Sequence, residues 1–186
     1  MNASITILGI AGSLRRASYN RAALRAAQSL VPDGVRVEIG DIDGIPLFNQ
    51  DLEREPPAAV AELKRRVRAA DAILLATPEY NHSFPGVLKN VIDWASRPFG
   101  DSAWAGKPVA VIGCSSGIAG TVRAQAHLRQ VFVTLDMPAL NQPQVAIAGA
   151  AQKFDAEGNL TDEATKVLLR QLLQNLVAWT RKLQAS

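Results

Sequence analysis

The chain has 186 residues, 48% hydrophobic and 20% charged, which fits a single globular domain over residues 1–186 with a real core. Its formal charge of +3 is dispersed over Arg15, Arg16, Arg21, Arg25, Lys64 to Arg68 and Arg97, with no aromatic-interleaved basic stripe, so nucleic acid is not an expected partner. One cysteine, Cys114, excludes an intrachain disulfide, and no apolar run approaches the ~18 residues of a membrane span, so a cytoplasmic protein with no membrane attachment is expected.

Met1-Asn2-Ala3-Ser4 carries no basic residue and Ile5 to Ile10 is short for the apolar part of a signal peptide, so none is expected. Ile5-Thr6-Ile7-Leu8-Gly9-Ile10 is mostly apolar and predicts a buried first strand. Gly12 to Tyr19 predicts a polar loop, followed by a helix over 20–30 with Ala23, Ala26, Ala27 and Leu30 facing inward. Pro32-Asp33-Gly34 marks a turn, and Val35 to Ile39 alternates as a strand near an edge would. A long loop over 41–57 carries Pro46, Pro56 and Pro57. The helix predicted over 58–70 is expected to expose Lys64, Arg65 and Arg66.

Ala72 to Ala76 predicts a third strand. It runs into the polar loop Thr77 to Gly86, stiffened by Pro78 and Pro85. Ser83 is the expected N-cap of the next helix, which places Leu88, Val91, Ile92 and Ala95 on one face. A connection over 101–108 leads to a fourth strand, Val109 to Gly113, where Cys114 is expected as a small buried hydrophobe. A loop over 115–120, a helix over 122–135, a short strand over 145–147 and a turn-rich stretch over 153–159 follow. A long amphipathic helix with Leu168, Leu172, Leu176 and Leu183 closes the chain. Thr161 is its expected N-cap, with Asp162 and Glu163 at the positive end of its dipole.

The alternation of strand and helix, with no repeat or linker, predicts an α/β fold: one parallel sheet covered on both faces. The apolar strands 1, 3 and 4 belong at its centre. Their three polar loops then meet at one sheet edge, where open α/β sheets bind ligands. The first of these, Gly12 to Asn20, combines small residues, hydroxyls and Arg15 just before a helix, a recipe for an anion site. The competing reading is an N-cap cluster, with Ser18 capping and Arg15 solvated.

Other phosphate motifs fail on spacing. Gly9-Ile10-Ala11-Gly12-Ser13 is not G-x-G-x-x-G, and Gly100 with Gly106-Lys107 does not make a P-loop. Gly113-Cys114-Ser115-Ser116-Gly117 does match G-x-S-x-G, which raises a serine hydrolase using Ser115. The order Ser, acid, His needs a later histidine. Only His82, which precedes, and His127, on the following helix, exist. Gly117 and Gly120 are instead expected to let the backbone approach a flat ligand.

Gly12-Ser13-Leu14-Arg15 with Ser18 and Asn20, and Pro78-Glu79-Tyr80-Asn81 with Ser83 and Pro85-Gly86, resemble the NAD(P)H-dependent FMN reductase family, most closely its bacterial quinone- and chromate-reducing members. Leu88-Lys89-Asn90-Val91-Ile92-Asp93-Trp94 extends the likeness, which covers nearly the whole chain. The resemblance implies a flavodoxin-like three-layer sandwich with strand order 2-1-3-4-5 and the flavin at the switch point. It implies that Ser13, Arg15, Ser18, Tyr19 and Asn20 hold the FMN phosphate. Pro78, Glu79, Tyr80 and Asn81 would line the isoalloxazine, largely through backbone groups, and Ser115, Ser116 and Gly117 would flank it. Family members often carry paired glycines near Gly120, whereas Thr121 follows here.

The implied reaction is ping-pong: NADPH or NADH reduces the flavin, then a quinone or similar acceptor (chromate, azo compounds, free flavin) takes two electrons. No side-chain acid or base is required, and no metal is implied. A homodimer or homotetramer completing the flavin pocket is expected. The alternative is a non-enzymatic electron carrier of flavodoxin type, for which an acidic surface rather than +3 would be expected. His82 is expected to face solvent.

Overall fold

The computed structural model describes residues 4–185; the absence of a leader in Met1 to Ala3 is an expectation that lies outside the described residues. Five strands, β1 (Ile5–Ala11), β2 (Val35–Gly40), β3 (Ala72–Ala76), β4 (Val109–Cys114) and β5 (Val145–Ile147), form one parallel sheet in the order β2-β1-β3-β4-β5. Five α-helices connect and cover them: α1 (Tyr19–Leu30), α2 (Ala58–Ala69), α3 (Gly86–Ala95), α4 (Val122–Thr134) and α5 (Glu163–Gln184). Every residue of β1, β3 and β4 is buried, while β2 alternates at the sheet edge. That is the burial expected of strands covered on both faces and of an edge strand.

Successive strand residues point to opposite faces, so the sheet builds two cores. Ile5, Ile7, Leu74 and Ile112 meet α1 and α5 through Leu24, Leu169, Leu172 and Leu176. Leu8, Ile10, Ile73 and Leu75 meet α2, α3 and α4 through Val67, Leu88, Val91 and Leu128. Gly113 is required where it stands. A Cβ there would overlap the Thr121 hydroxyl and the Thr77 carbonyl oxygen, so β4 passes its neighbours at glycine distance.

Three local expectations are corrected. α5 is capped by Asp162, whose carboxylate accepts from Thr165 N at 2.9 Å. The Thr161 hydroxyl instead donates to Lys153 O. α3 begins after Pro85 with no side-chain cap, because the Ser83 hydroxyl lies 3.0 Å from His127 Nδ1. Lys64 is 7% exposed rather than solvated: its ammonium donates to Arg97 O and to Asp101 Oδ2, the latter at 2.8 Å. Arg66 reaches Ile39 O at 3.1 Å, and only Arg65 of that triplet stands fully in solvent.

Candidate active site at the C-terminal edge of the sheet

The chain leaves β1 toward β2 on one side and later returns to β3 on the other, so β1 and β3 frame the topological switch point. A cleft of about 270 Å³ opens there. It is lined by Ser13, Arg15, Ser18, Tyr19 and Asn20 from the first loop and Pro78, Glu79 and Tyr80 from the second. Cys114, Ser115 and Ser116 come from the third. Asn81 and Gly117, grouped with these by sequence, stand outside its lining.

The first loop is held at both ends. Gly12 N donates to Ala76 O at 2.8 Å, and Ser18 N donates to Arg15 O at 3.1 Å. Ser18 Oγ accepts from Asn20 N and Arg21 N, capping α1. Both the capping and the cleft-facing readings of Ser18 therefore hold geometrically, since a hydroxyl that accepts still has a proton to give. Ser13 is buried and Arg15 is exposed. The Arg15 guanidinium carbon lies 5.6 Å from the Tyr19 ring centroid, and among the described residues its side chain makes no hydrogen bond. Tyr19 is itself braced by Phe154, ring centroids 5.3 Å apart.

Asn20 is buried and faces the other way. Its carboxamide donates to Cys114 O at 3.0 Å and accepts from Cys114 N at 2.9 Å. Sequence reading grouped it with the phosphate ligands. In the structure the amide oxygen and one amide N–H serve the end of β4, so Asn20 fixes the first loop to that strand while it lines the cleft.

The second loop folds back on itself. Tyr80 N donates to Ser83 O at 2.9 Å and Ser83 N donates to Tyr80 O at 3.0 Å. Asn81 and His82 between them have φ of 50° and 63°. Positive φ at both central residues is the signature of a type I′ turn, for which Asn is well suited. This puts the Asn81 and His82 side chains in solvent, as expected for His82. The Glu79 carboxylate points instead to α4. It accepts from Arg123 N at 3.0 Å, Ala124 N at 3.2 Å and Arg123 Nε at 2.6 Å, with its side chain 6% exposed. Burial alone would raise its pKa. The hydrogen bonds from Ala124 and Arg123 outweigh burial and hold it below the usual carboxylate value.

The third loop is anchored to β5: Ser115 N donates to Ile147 O at 2.9 Å, and Ala150 N donates to Ser115 O at 3.0 Å. Ser115 Oγ accepts from Gly117 N at 3.1 Å, and His127 is engaged with Ser83. Ser115 therefore has no histidine base, and the hydrolase arrangement is not assembled. Gly120 has φ 59° and packs against the Ala146 backbone, so its glycine requirement comes from β5 rather than from a flat ligand. Thr121, where paired glycines are common, is buried and receives Gln125 Nε2 at 3.1 Å.

Cys114 and Arg123 are the site residues that sequence reading missed. Cys114 ends an apolar strand directly before Ser115, and that position was the available signal. Burial pushes its thiol up from 9.0 to about 12, so it stays protonated and inert. A second cavity of about 330 Å³ lies between α2 and the end of α3. Its carboxylates are already paired, Glu53 with Arg97 at 2.6 Å and Asp101 with Lys64 at 2.8 Å. The cleft at the switch point differs in gathering Ser13, Ser18, Arg15 and the α1 N-terminus on one wall. No group of His, Cys, Asp and Glu suited to a metal ion occurs among the described residues, nor does a helix long and apolar enough to cross a membrane.

The sheet order and the cleft at its switch point define a flavodoxin-like α/β protein. Over residues 5–152 the chain matches the NADPH-dependent FMN reductases. It is 52% identical over 185 residues to an NAD(P)H-dependent FMN reductase of Pseudomonas aeruginosa, covering 99% of this chain and 100% of that one. It is 43% identical to a 2-hydroxy-1,4-benzoquinone reductase of a Burkholderia species, covering 96% and 97%. Among solved structures, the flavoenzyme NAD(P)H:(acceptor) oxidoreductase of Paracoccus denitrificans superposes with a TM-score of 0.88 at 38% identity, covering 96% and 98%. The chain belongs to the NADPH-dependent FMN reductase family and is an oxidoreductase.

Proposed function

We propose that this protein holds FMN in the switch-point cleft and uses it to pass two electrons from NADPH or NADH to quinones or similar acceptors, among them chromate, azo compounds and free flavin. The observation that carries the reading is the first loop. A buried serine hydroxyl, a capping serine, the α1 N-terminus and an arginine whose side chain has no hydrogen-bond partner among the described residues converge on one wall of the cleft. This donor set fits a phosphate monoester dianion.

In this reading Ser13, Ser18 and Arg15 bind the phosphate, and Tyr19 supports the Arg15 guanidinium from beneath. Asn20 fixes the loop to β4. Pro78, Glu79 and Tyr80 present the second loop's backbone to the ring system and Ser115 and Ser116 flank it from the third loop, with Asn81 and Gly117 bordering the cleft from outside its lining. Bound FMN supplies the hydride chemistry, accepting from the nicotinamide and giving to the acceptor. The protein's own part is to hold the ring in register and leave one face open to flat partners; no side chain of the cleft is assigned a proton-transfer step. Tyr80, Ile118 and Val122 are large apolar residues exposed near this edge, which supports a homodimer or homotetramer that covers part of it.

Steady-state kinetics with NADPH and a benzoquinone test the assignment. Parallel lines in double-reciprocal plots are expected from the FMN-loaded protein. Intersecting lines, or turnover that persists after the protein has been stripped of all FMN, would contradict it.

A further inference from the structure

α4 has no cap of its own. Its N-cap residue, Thr121, makes no side-chain hydrogen bond to the first turn, and that hydroxyl is turned to Gln125. The cap comes from another element: the Glu79 carboxylate takes the N–H groups of Arg123 and Ala124 and the Arg123 guanidinium, 44 and 45 residues away in sequence. An anion at a helix N-terminus with two backbone donors is a strong, charge-assisted arrangement. Its mechanical consequence is specific. Glu79 sits on the β3–α3 loop, and α4 begins where the β4–α4 loop ends, so one side chain ties together two walls of the cleft. Among the described residues it is the only side chain of the second loop that reaches the α4 backbone.

We propose that Glu79 is a positioning residue for the flavin: its carboxylate fixes the spacing between the second and third loops, and the protein loses its grip on FMN when that charge is removed. The proposal rests on the reading of the cleft as an FMN site. It assigns Glu79 no contact with the reacting atoms. The side chain acts through α4, and only the Glu79 backbone faces the ring.

The test compares Glu79→Gln with Asp162→Asn, which removes the carboxylate cap of α5 from a helix N-terminus outside the cleft lining. Each purified apo chain is titrated with FMN by fluorescence, its visible flavin spectrum recorded, and its apo form melted. Both variants are expected to lower the apo melting temperature. Only Glu79→Gln is expected to weaken FMN, by about tenfold or more, and to shift the flavin bands toward those of free FMN. Should Glu79→Gln fail to fold, Arg123→Ala keeps the two backbone bonds and is expected to weaken FMN by a smaller factor, about threefold. FMN affinity within twofold of wild type in the folded glutamate variant, or in Arg123→Ala if that must stand in, overturns the positioning role. Equal weakening in both cap variants also overturns it, because the effect would then follow stability alone. Wild-type protein that binds no FMN overturns the cleft assignment itself, and this inference with it.

Discussion

Asn20 and Cys114, 94 residues apart, are joined by a reciprocal pair of hydrogen bonds in which one carboxamide stands in for a neighbouring strand. The Asn20 amide donates to the Cys114 carbonyl and accepts its N–H, so the last residue of β4 is held to the first turn of α1. This contact sets the distance between the first and third walls of the cleft. Asn20→Ala would leave a buried N–H and a buried C=O without partners, at a cost of about 2–4 kcal/mol. A melt of the apo protein should show the loss, and FMN titration should show weaker binding than the loss of stability alone explains.

Arg15 is the exposed cation that the first loop brings to the cleft, with the Tyr19 ring beneath it. Arg15→Ala should weaken FMN by about 10- to 100-fold, the worth of a hydrogen bond to a charged group. Riboflavin, which lacks the phosphate, should bind wild type and variant alike. Equal FMN affinities in fluorescence titration would remove Arg15 from the phosphate site.

Gly113 admits no Cβ, because Thr121 and Thr77 already occupy the space. Thr77 offers a backbone oxygen that cannot rotate away. Gly113→Ala should therefore destabilise the fold by roughly 3 kcal/mol or more, at the top of the overpacking range. Chemical denaturation is the direct measurement. A variant as stable as wild type would mean that β3 and β4 separate more easily than their packing indicates.

Cys114 lines the cleft but is 3% exposed, and burial holds its thiol near 12. In the folded state it keeps its proton over the range where the unfolded chain releases it. Folded protein thus binds more protons between about pH 9 and 12, and this group's contribution to stability, complete below pH 9, is lost as pH rises through that window. Cys114→Ser should flatten the alkaline limb of the stability curve. Labelling of the native thiol by iodoacetamide at pH 8 should be slow and should accelerate only with unfolding.

Much of the frame could be read from the chain because its signals are local. The apolar runs of Ile5–Ile10 (broken only by Thr6), Ala72–Ala76 and Val109–Gly113 announce strands buried on both faces, and the sheet order confirms their central places. The errors fall where two neighbours compete for one job, or where a partner is distant. Thr161 and Asp162 are both good caps, and the choice went to the one whose carboxylate meets Thr165 N. Lys64 sits in a basic triplet and reads as solvated, yet Asp101, 37 residues on, draws it inside. At the cleft the residue types were legible but the directions of Asn20 and Glu79 were not. Each turns away to hold another element, and nothing within a few residues of either indicates it.

The central claim is that three strand-end loops together hold a redox-active flavin. The most direct measurement is an anaerobic visible spectrum of the FMN-loaded protein before and after NADPH is added, followed by a quinone. The account predicts a flavin band near 450 nm that bleaches within the turnover time, about 0.1–1 s, and returns on addition of the quinone. Protein that stays colourless after incubation with FMN, or a band that NADPH leaves intact, would contradict it.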